Sequence, residues 1–410
     1  MPKNTDIKKN QKGLKSIYLS GSKSISNRAL LLCEVNKILG LKVPKLKNLS
    51  TSSDTLTMKK GLKMLKQIKI NEKLGQKNSK PINKKIRKTP RKIIDLGDAG
   101  TAVRFLTAFA AVTDKEMTIT GSSRMQKRPI QDLADALNRL GCKVETTNSC
   151  PPVTISKSEF KESKFRGEKT RVKGNISSQF LSALLMVAPL MATFFKTRAK
   201  IKMEVSGKLT SIPYVRMTEK LIKIFQKEPK EFFIEGDASS ASFLHLYSQL
   251  TGKKIRIKNL PKNSIQGDMI YPKLKPVGTI DMSETPDLVM PFSIFSAFTK
   301  GKTRITNISN LRIKESNRIK ALEKELKKLG IKVKTGKDFI EIEGEEKEKI
   351  IRRNLKKHIK IETYGDHRIA MAFGVLKKTI LPKLKIHPPS VVRKSYPEFW
   401  SDMNKLNRYK

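Results

Sequence analysis

Four stretches of this sequence gather small residues with cations and carboxylates where helices should begin, and that mixture handles anions. The first is Gly21-Ser22-Lys23-Ser24-Ile25-Ser26-Asn27-Arg28, followed by the apolar run Ala29 to Cys33. Gly, Ser and Lys at a strand-to-helix turn offer backbone N–H groups, hydroxyls and a cation to a phosphate or carboxylate. The segment fails the Walker A pattern, because only Ser22 separates Gly21 from Lys23 and Ser16 stands where the other glycine belongs. A nucleotide kinase is therefore disfavoured. The bland alternative is a serine-capped helix with surface cations. The second stretch is Leu96-Gly97-Asp98-Ala99-Gly100-Thr101-Ala102-Val103-Arg104, whose small residues let a ligand approach the backbone. Thr101 is expected to cap the helix that buries Ala102, Leu106 and Phe109. Arg124-Met125-Gln126-Lys127-Arg128-Pro129 then sets cations around a helix start, where Pro129 suits the first turn.

The third stretch, Asn175 to Gln179, opens the apolar helix Phe180 to Leu190 with Ser177, Ser178 and Gln179. These groups could bind the hydroxyls and phosphate of a sugar-like ring, or merely cap the helix. Ser211 to Arg216, with Tyr214, could add another wall. The fourth is spread over Pro286-Asp287, then Asn310 to Arg318, then Gly365-Asp366-His367-Arg368, then Arg393-Lys394. A helix beginning near Arg312 would place Lys314 and Arg318 on one face with Glu315 beside them. Alone such a cluster is usually a solvated face. Next to the other compact groups of acids and bases it suggests a divided anion site.

The elements that position these residues alternate as strand, helix and turn, which is the pattern of an α/β chain. One unit recurs. Asp132 to Gly141 reads as an amphipathic helix, with Cys142 to Thr147 and Pro152 to Ser156 as a strand pair. Ala321 to Gly330 repeats it, with Ile331 to Lys334 and Phe339 to Glu343 as a hairpin. A weaker copy begins at Thr57 with Leu62, Met64, Leu65, Ile68 and Ile70. Copies in both halves predict a duplicated architecture. The polar stretches Asn71 to Lys92 and Phe160 to Lys173 read as solvated connectors.

At 410 residues the chain is long enough for two domains. Its 86 Lys plus Arg against 37 Asp plus Glu leave a formal charge of +49, which admits a nucleic-acid binder as an alternative. The lysines are smeared from Lys3 to Lys410, and aromatic residues make up only 6%, so stacking platforms are scarce. Cys33, Cys142 and Cys150 have neither the number of a disulfide framework nor a CxxC spacing. The residues before Ser20 have no apolar signal core, and Leu181 to Phe195 is broken by Ser182, Pro189 and Thr193. The expectation is a cytoplasmic chain with no membrane span.

Taken in order, GSKSISNRALLL, LGDAGTAVR, RMQKRPI, ISSQFLSALL, EGDASSAS, RIKESNR, YGDHRIAM and RKSYPEF resemble the enolpyruvyl transferase family from Gly21 to Phe399. Within that family they are most similar to the branch whose acceptor is shikimate 3-phosphate. The resemblance implies an α/β fold of two similar globular domains, each of three repeated βαβαββ units in an inside-out α/β barrel, with the active site in the interdomain cleft. Residues 1–20 with 236–410 would form one domain and 21–235 the other. The reaction implied moves the enolpyruvyl group of phosphoenolpyruvate to the 5-hydroxyl of shikimate 3-phosphate, releasing phosphate on the route to chorismate and the aromatic amino acids. A monomer using no metal or organic cofactor is expected, with no specific nucleic-acid partner.

Carried over by motif, Lys23, Ser24, Arg28, Ser177, Ser178, Gln179, Ser211 and Tyr214 would bind shikimate 3-phosphate, joined by Asp287, Asn310 and Lys314. Lys23, Gly100, Arg128, Gln179, Arg318, Arg368 and Lys394 would hold phosphoenolpyruvate. Asp287 would accept the proton of the attacking hydroxyl, and Glu315 would protonate the methylene carbon, with Lys23 touching both ligands. Phosphoenolpyruvate carries about three negative charges, so Arg forks must neutralise and orient it before a hydroxyl adds. Lys314 and Arg318 favour an ionised Glu315, so its acid role requires bound anions to offset them. Asp98 departs from the family pattern, where an uncharged residue is expected. Its carboxylate would repel phosphoenolpyruvate or alter sensitivity to glyphosate unless it turns aside.

The sister branch acting on UDP-N-acetylglucosamine is the nearer alternative, but its hallmark is a reactive loop cysteine, whereas Cys142 follows a helix-ending Gly141. Lys, Asn and Ile share A+T-rich codons, and the lysine excess is read as mutational bias acting on solvated faces. Coding DNA with A+T-rich third positions is the expected finding, and an ordinary third-position composition would contradict it.

Overall fold

A computed structural model describes residues 15–68, 92–157, 169–173, 178–194, 202–207 and 210–408. The chain divides into two compact units. The first comprises residues 1–26, 46–53 and 233–410, and the second residues 27–45 and 54–232. Residues 21–26 and 46–53 thus belong with the carboxyl-terminal part of the chain.

The second unit contains a sheet in the order Lys92–Asp95, Met117–Thr120, Cys150–Ser156, Lys143–Thr147. The first two strands are parallel, and the remaining pairings are antiparallel. Met117, Ile119, Val153 and Ile155 alternate with polar neighbours and are buried, the period-two pattern of a sheet with one covered face. Helix Gly100–Val112 is buried on nearly every side, as its almost continuous apolar composition requires. It packs against Ser178–Phe194, which packs in turn against Ile212–Phe225.

The first unit contains a sheet of the same order and directions: Gly278–Asp281, Gly301–Thr306, Ile340–Gly344, Lys332–Thr335. Helix Arg318–Lys328 precedes its hairpin, as Gln131–Arg139 precedes the hairpin of the other sheet. Two further parallel pairs join Lys15–Ile17 to Ile255–Ile257 and Lys360–Glu362 to Lys385–His387. Helix His367–Thr379 is the buried counterpart of Gly100–Val112. It packs on helices Ala238–Thr251, Val289–Ala297, Arg318–Lys328 and Phe399–Arg408. Among the described residues no helix is long and apolar enough to cross a membrane.

Three expectations need correcting. Lys169–Lys173, read as part of a polar connector, is a strand parallel to Lys202–Ser206. Its lysines hid a buried Thr170 whose hydroxyl donates to the Ala136 carbonyl at 3.0 Å. The helix expected from Thr57 begins at Ser53, with Asp54 in its first turn where the helix dipole favours an acid. The helix expected near Arg312 begins at Arg318, because Asn317 caps it by accepting from the Lys320 N–H at 3.2 Å. Residues 71–91, 160–168 and Ile70 lie outside the described residues.

Gly344 closes the first unit's hairpin strand where a β-carbon would lie 2.1 Å from the carbonyl oxygens of both Ser296 and Thr299. Backbone atoms cannot move aside as a side-chain tip can. Gly344→Ala is expected to destabilise this unit by about 1–3 kcal/mol through overpacking, seen as a lower urea midpoint. An unchanged midpoint would show that the strand shifts freely.

Candidate active site

In the first unit the site is organised by Arg318, the first residue of its helix and only 1% exposed. Its Nε donates to Asp366 Oδ2 at 2.7 Å, Nη1 to Asp287 Oδ1 at 3.0 Å, and Nη2 to Glu315 Oε2 at 3.0 Å. Asp287 lies in the 3-10 turn Pro286–Leu288, where Pro286 sets the entry. Its Oδ2 accepts from Arg368 Nη2 at 2.7 Å. Asp366 caps helix His367–Thr379 by accepting from the Arg368 N–H at 2.9 Å, and also accepts from Ser316 Oγ at 3.1 Å. Two guanidiniums and three carboxylates therefore share one hydrogen-bonded network.

The charges follow from this packing. Lost solvation pushes the Asp287 carboxyl up, but Arg368, Arg318, Lys314 and Lys23 outweigh it and hold the group well below the usual carboxylate range. Burial opposes the charge of Arg318, yet Asp366, Glu315 and Asp287 keep it firmly protonated. His367 is buried next to Asp366, and burial, then the charge of Lys23, hold its imidazole neutral well below its ordinary titration range. Asp287 retains 22% of its side-chain exposure and Glu315 retains 15%. Both can be reached by a ligand while the arginine between them is sealed.

Other residues singled out in the sequence gather in this unit. Lys23 opens helix Lys23–Ile38, its N–H donating to Asp237 Oδ2 at 3.2 Å, and its charge reaches Asp287. Lys314 acts on the same carboxylate. Asn310 is buried in the turn Ser309–Ile313, and its Oδ1 has no hydrogen-bond partner among the described residues. Lys394 is buried at the end of the turn Pro389–Lys394. Ser24 is half-buried in the first turn after Lys23.

The second unit holds a different constellation. Gly97, at φ +52°, turns the chain into helix Gly100–Val112. A β-carbon on Gly100 would lie 2.5 Å from Arg128 Nη1 and 2.8 Å from Arg104 Nη1. Two guanidiniums thus converge on the start of the buried helix. Arg104, to which the sequence reading gave no role, donates to the Gly100 carbonyl at 2.9 Å and the Pro129 carbonyl at 3.1 Å, which ties the Arg128 loop to that helix. Thr101 does not cap the helix; the cap position is Ala99, and Thr101 Oγ1 instead accepts from Gln179 Nε2 at 3.1 Å. The Ser122 hydroxyl donates to Asp98, whose exposed carboxylate helps to join the two loops.

Arg28 is 2% exposed, with Nε donating to Thr218 Oγ1 at 2.7 Å and its guanidinium 5.3 Å from the centre of the Phe105 ring. Its Nη2 donates to the Tyr214 carbonyl at 3.4 Å, at the helix that Ser211 precedes with φ +57°. Burial lowers its pKa to about 10. Ser178 is buried and Gln179 half-buried at the start of helix Ser178–Phe194. Ser177 lies outside the described residues.

The family profile described as EPSP synthase (3-phosphoshikimate 1-carboxyvinyltransferase) matches residues 7–279 and 269–403. The chain belongs to the EPSP synthase family. Relatives carrying the name 3-phosphoshikimate 1-carboxyvinyltransferase include those of Hamiltonella defensa, 34% identical over 96% of each chain, and Mannheimia succiniciproducens, 33% identical over 95% of this chain and 96% of the relative. Among solved structures, EPSP synthase from Acinetobacter baumannii aligns with a TM-score of 0.59 at 19% identity over 96% of each chain. The enolpyruvyl transferase NikO from Streptomyces tendae aligns with a TM-score of 0.54 at 11% identity, over 96% of this chain and 94% of that one. The fold is therefore the two-domain inside-out α/β architecture of the enolpyruvyl transferases.

Cys142 does not have the character of the reactive loop cysteine that marks the sister branch. Cys142 is buried, and lost solvation, with a smaller push from Asp114, drives its thiol up to about 12. A thiol so far from ionising is no nucleophile at neutral pH.

Sequence reasoning named Asp287, Glu315, Arg318 and Arg368 but gave no part to Asp366. The available signal was an Asp directly before an apolar helix, the composition of an N-cap. Removing its carboxylate with Asp366→Ala leaves Arg318 a buried cation short of its nearest partner. The variant is expected to lose about 3–5 kcal/mol of stability, measured by chemical denaturation. Wild-type stability would show that Arg318 is neutralised without it.

Proposed function

We propose that this chain catalyses the reaction for which its family is named, moving the 1-carboxyvinyl group of phosphoenolpyruvate to the 5-hydroxyl of shikimate 3-phosphate with release of phosphate. The observation that carries the site assignment is the network in which Arg318 and Arg368 both grip Asp287 while Arg318 also holds Glu315. It supplies paired guanidiniums for a carboxylate or phosphate and two reachable carboxylates for proton transfer.

In this reading Arg318, Arg368, Lys394, Gly100, Arg128 and Gln179 bind phosphoenolpyruvate. Ser24, Arg28, Ser178, Ser211, Tyr214, Asn310 and Lys314 bind shikimate 3-phosphate, and Lys23 serves both. Asp287 takes the proton from the attacking hydroxyl. Glu315 gives a proton to the methylene carbon, making the adjacent carbon cation-like, and the hydroxyl oxygen bonds there to form a tetrahedral intermediate. Elimination then returns a proton from the new methyl group to Glu315 and breaks the carbon–oxygen bond to phosphate, which leaves with the proton that Asp287 took. Every step uses a positioned acid, base or cation of the chain itself. Phosphoenolpyruvate also answers the low proton affinity of Asp287, since its negative charges offset the cations that depress it. The enzyme is proposed to work as a cytoplasmic monomer.

Phosphate release from phosphoenolpyruvate is expected only when shikimate 3-phosphate is added; release indifferent to that acceptor would refute the reading. Glu315→Gln is expected to lower turnover by about 10²–10⁴-fold while phosphoenolpyruvate still binds. Near-full turnover in that variant would remove Glu315 from the acid role.

A further inference from the structure

One buried carboxylate near the network has no part in the chemistry so far. Asp268 belongs to the 3-10 turn Gly267–Lys273 and is 3% exposed. This turn packs against helix Ala238–Thr251 and against the Pro286–Leu288 turn that carries Asp287. The Ser239 hydroxyl, in the first turn of that helix, donates to Asp268 Oδ2. Gln266 fixes the segment further: its Oε1 accepts from the Ala238 N–H at 3.0 Å, and its Nε2 donates to the Gly236 carbonyl at 2.8 Å and Glu235 Oε1 at 2.9 Å. The helix cap Asp237 accepts from Ser240 N–H at 2.7 Å and from Lys23 N–H at 3.2 Å. A rigid frame therefore holds Asp268 beside residues of the proposed site.

The charges felt by Asp268 are those of Asp287, Arg368 and Asp237. Burial, then the charges of Asp287 and Asp237, push its carboxyl up to about 7, while the Ser239 hydrogen bond and Arg368 pull the other way. Arg368 meanwhile donates to Asp287 at 2.7 Å. Arg368 thus hydrogen-bonds Asp287 directly, while its charge is also felt by Asp268 on the adjoining turn.

We propose that Asp268 is a positioning residue for the transfer reaction, sharing the charge of Arg368 with Asp287 and so setting the strength of Asp287 as a base. This rests on the reading of Asp287 as the acceptor of the hydroxyl proton. With Asp268 ionised, its charge offsets Arg368 and raises the proton affinity of Asp287. With Asp268 protonated, Arg368 acts on Asp287 without that offset and weakens the base, while the site gains net positive charge and holds phosphoenolpyruvate more tightly. The sign is fixed: ionised Asp268 supports turnover above its pKa, and that support is lost as pH falls through about 7. His367 titrates well below its ordinary range and does not supply this step.

The test is the pH dependence of kcat and of KM for phosphoenolpyruvate in the full-length enzyme with shikimate 3-phosphate present. In the wild type, kcat and KM are both expected to rise through neutral pH. Asp268→Asn, which keeps an oxygen for Ser239, is expected to lose that rise and to lower kcat about tenfold above it, the equivalent of one pKa unit in the base, without raising KM. Ser239→Ala removes a bond that favours the ionised carboxylate and is expected to move the rise to higher pH. Substrate titration is common to all three proteins, so the differences between profiles report Asp268. An Asp268→Asn profile like the wild type, a rise unmoved in Ser239→Ala, or a fall in kcat accompanied by a higher KM and a lower melting temperature would overturn the proposal. A wild type with no acceptor-dependent turnover would instead overturn the functional reading beneath it.

Discussion

A guanidinium removed from water must have its charge and its donors met by the protein, and Arg318 meets that demand with Asp366, Asp287 and Glu315. Much of the first unit's local geometry answers to this requirement. Asp366 must sit at the amino end of the buried helix His367–Thr379 to be reached, which fixes Arg368 two residues further on. Asp287 must project from a short turn begun by proline, and Glu315 must stand in the irregular stretch before the Asn317 cap. The same contacts that neutralise a buried cation therefore present two carboxylates, each partly open, at a fixed separation. A looser arrangement would leave a buried charge uncompensated, so the geometry is enforced by electrostatics as well as by packing.

The second unit solves the problem differently. Arg104 donates to the carbonyls of Gly100 and Pro129, and the hydrogen bonds resolved for Arg28 go to Thr218, Ser182 and the Tyr214 carbonyl. All of these acceptors are neutral. Such partners satisfy donors without cancelling charge, and the lowered pKa of Arg28 contrasts with the raised one of Arg318. The two units are thus complementary in kind. One surrounds its buried arginine with carboxylates, and the other meets the donors of its buried arginines with hydroxyls and carbonyls.

The parts legible in sequence were those written in local signals. The repeated helix and hairpin units appeared in hydrophobic periodicity, and the glycine-rich and serine-rich helix starts appeared in composition. Helix starts were less legible where a cap competed with an apparent face. Arg312 to Arg318 looks helical by charge spacing, but the cap at Asn317 delays the helix to Arg318. Lys169–Lys173 was hidden because lysines surround the alternation of Thr170 and Val172, and strand pairing with Lys202–Ser206 is a contact made far along the chain. Asp366 and Asp268 escaped for a related reason. Their importance depends on which arginine approaches them, and that is decided by tertiary packing.

The large positive charge of the chain was the least informative signal, for a physical reason. Pairs such as Lys300 with Glu346 and Lys332 with Glu343 are largely exposed, and solvent and salt leave such pairs little influence on stability or binding. A lysine added or removed on such a face changes the formal charge by as much as a change at Arg318 would, yet it changes the potential at Asp287 very little. What acts there is a short set, Arg368, Arg318, Lys314 and Lys23, whose effects are felt through protein rather than water. Net charge can therefore drift widely with composition while the site keeps its own balance. The residues constrained are those whose removal would leave a buried partner alone.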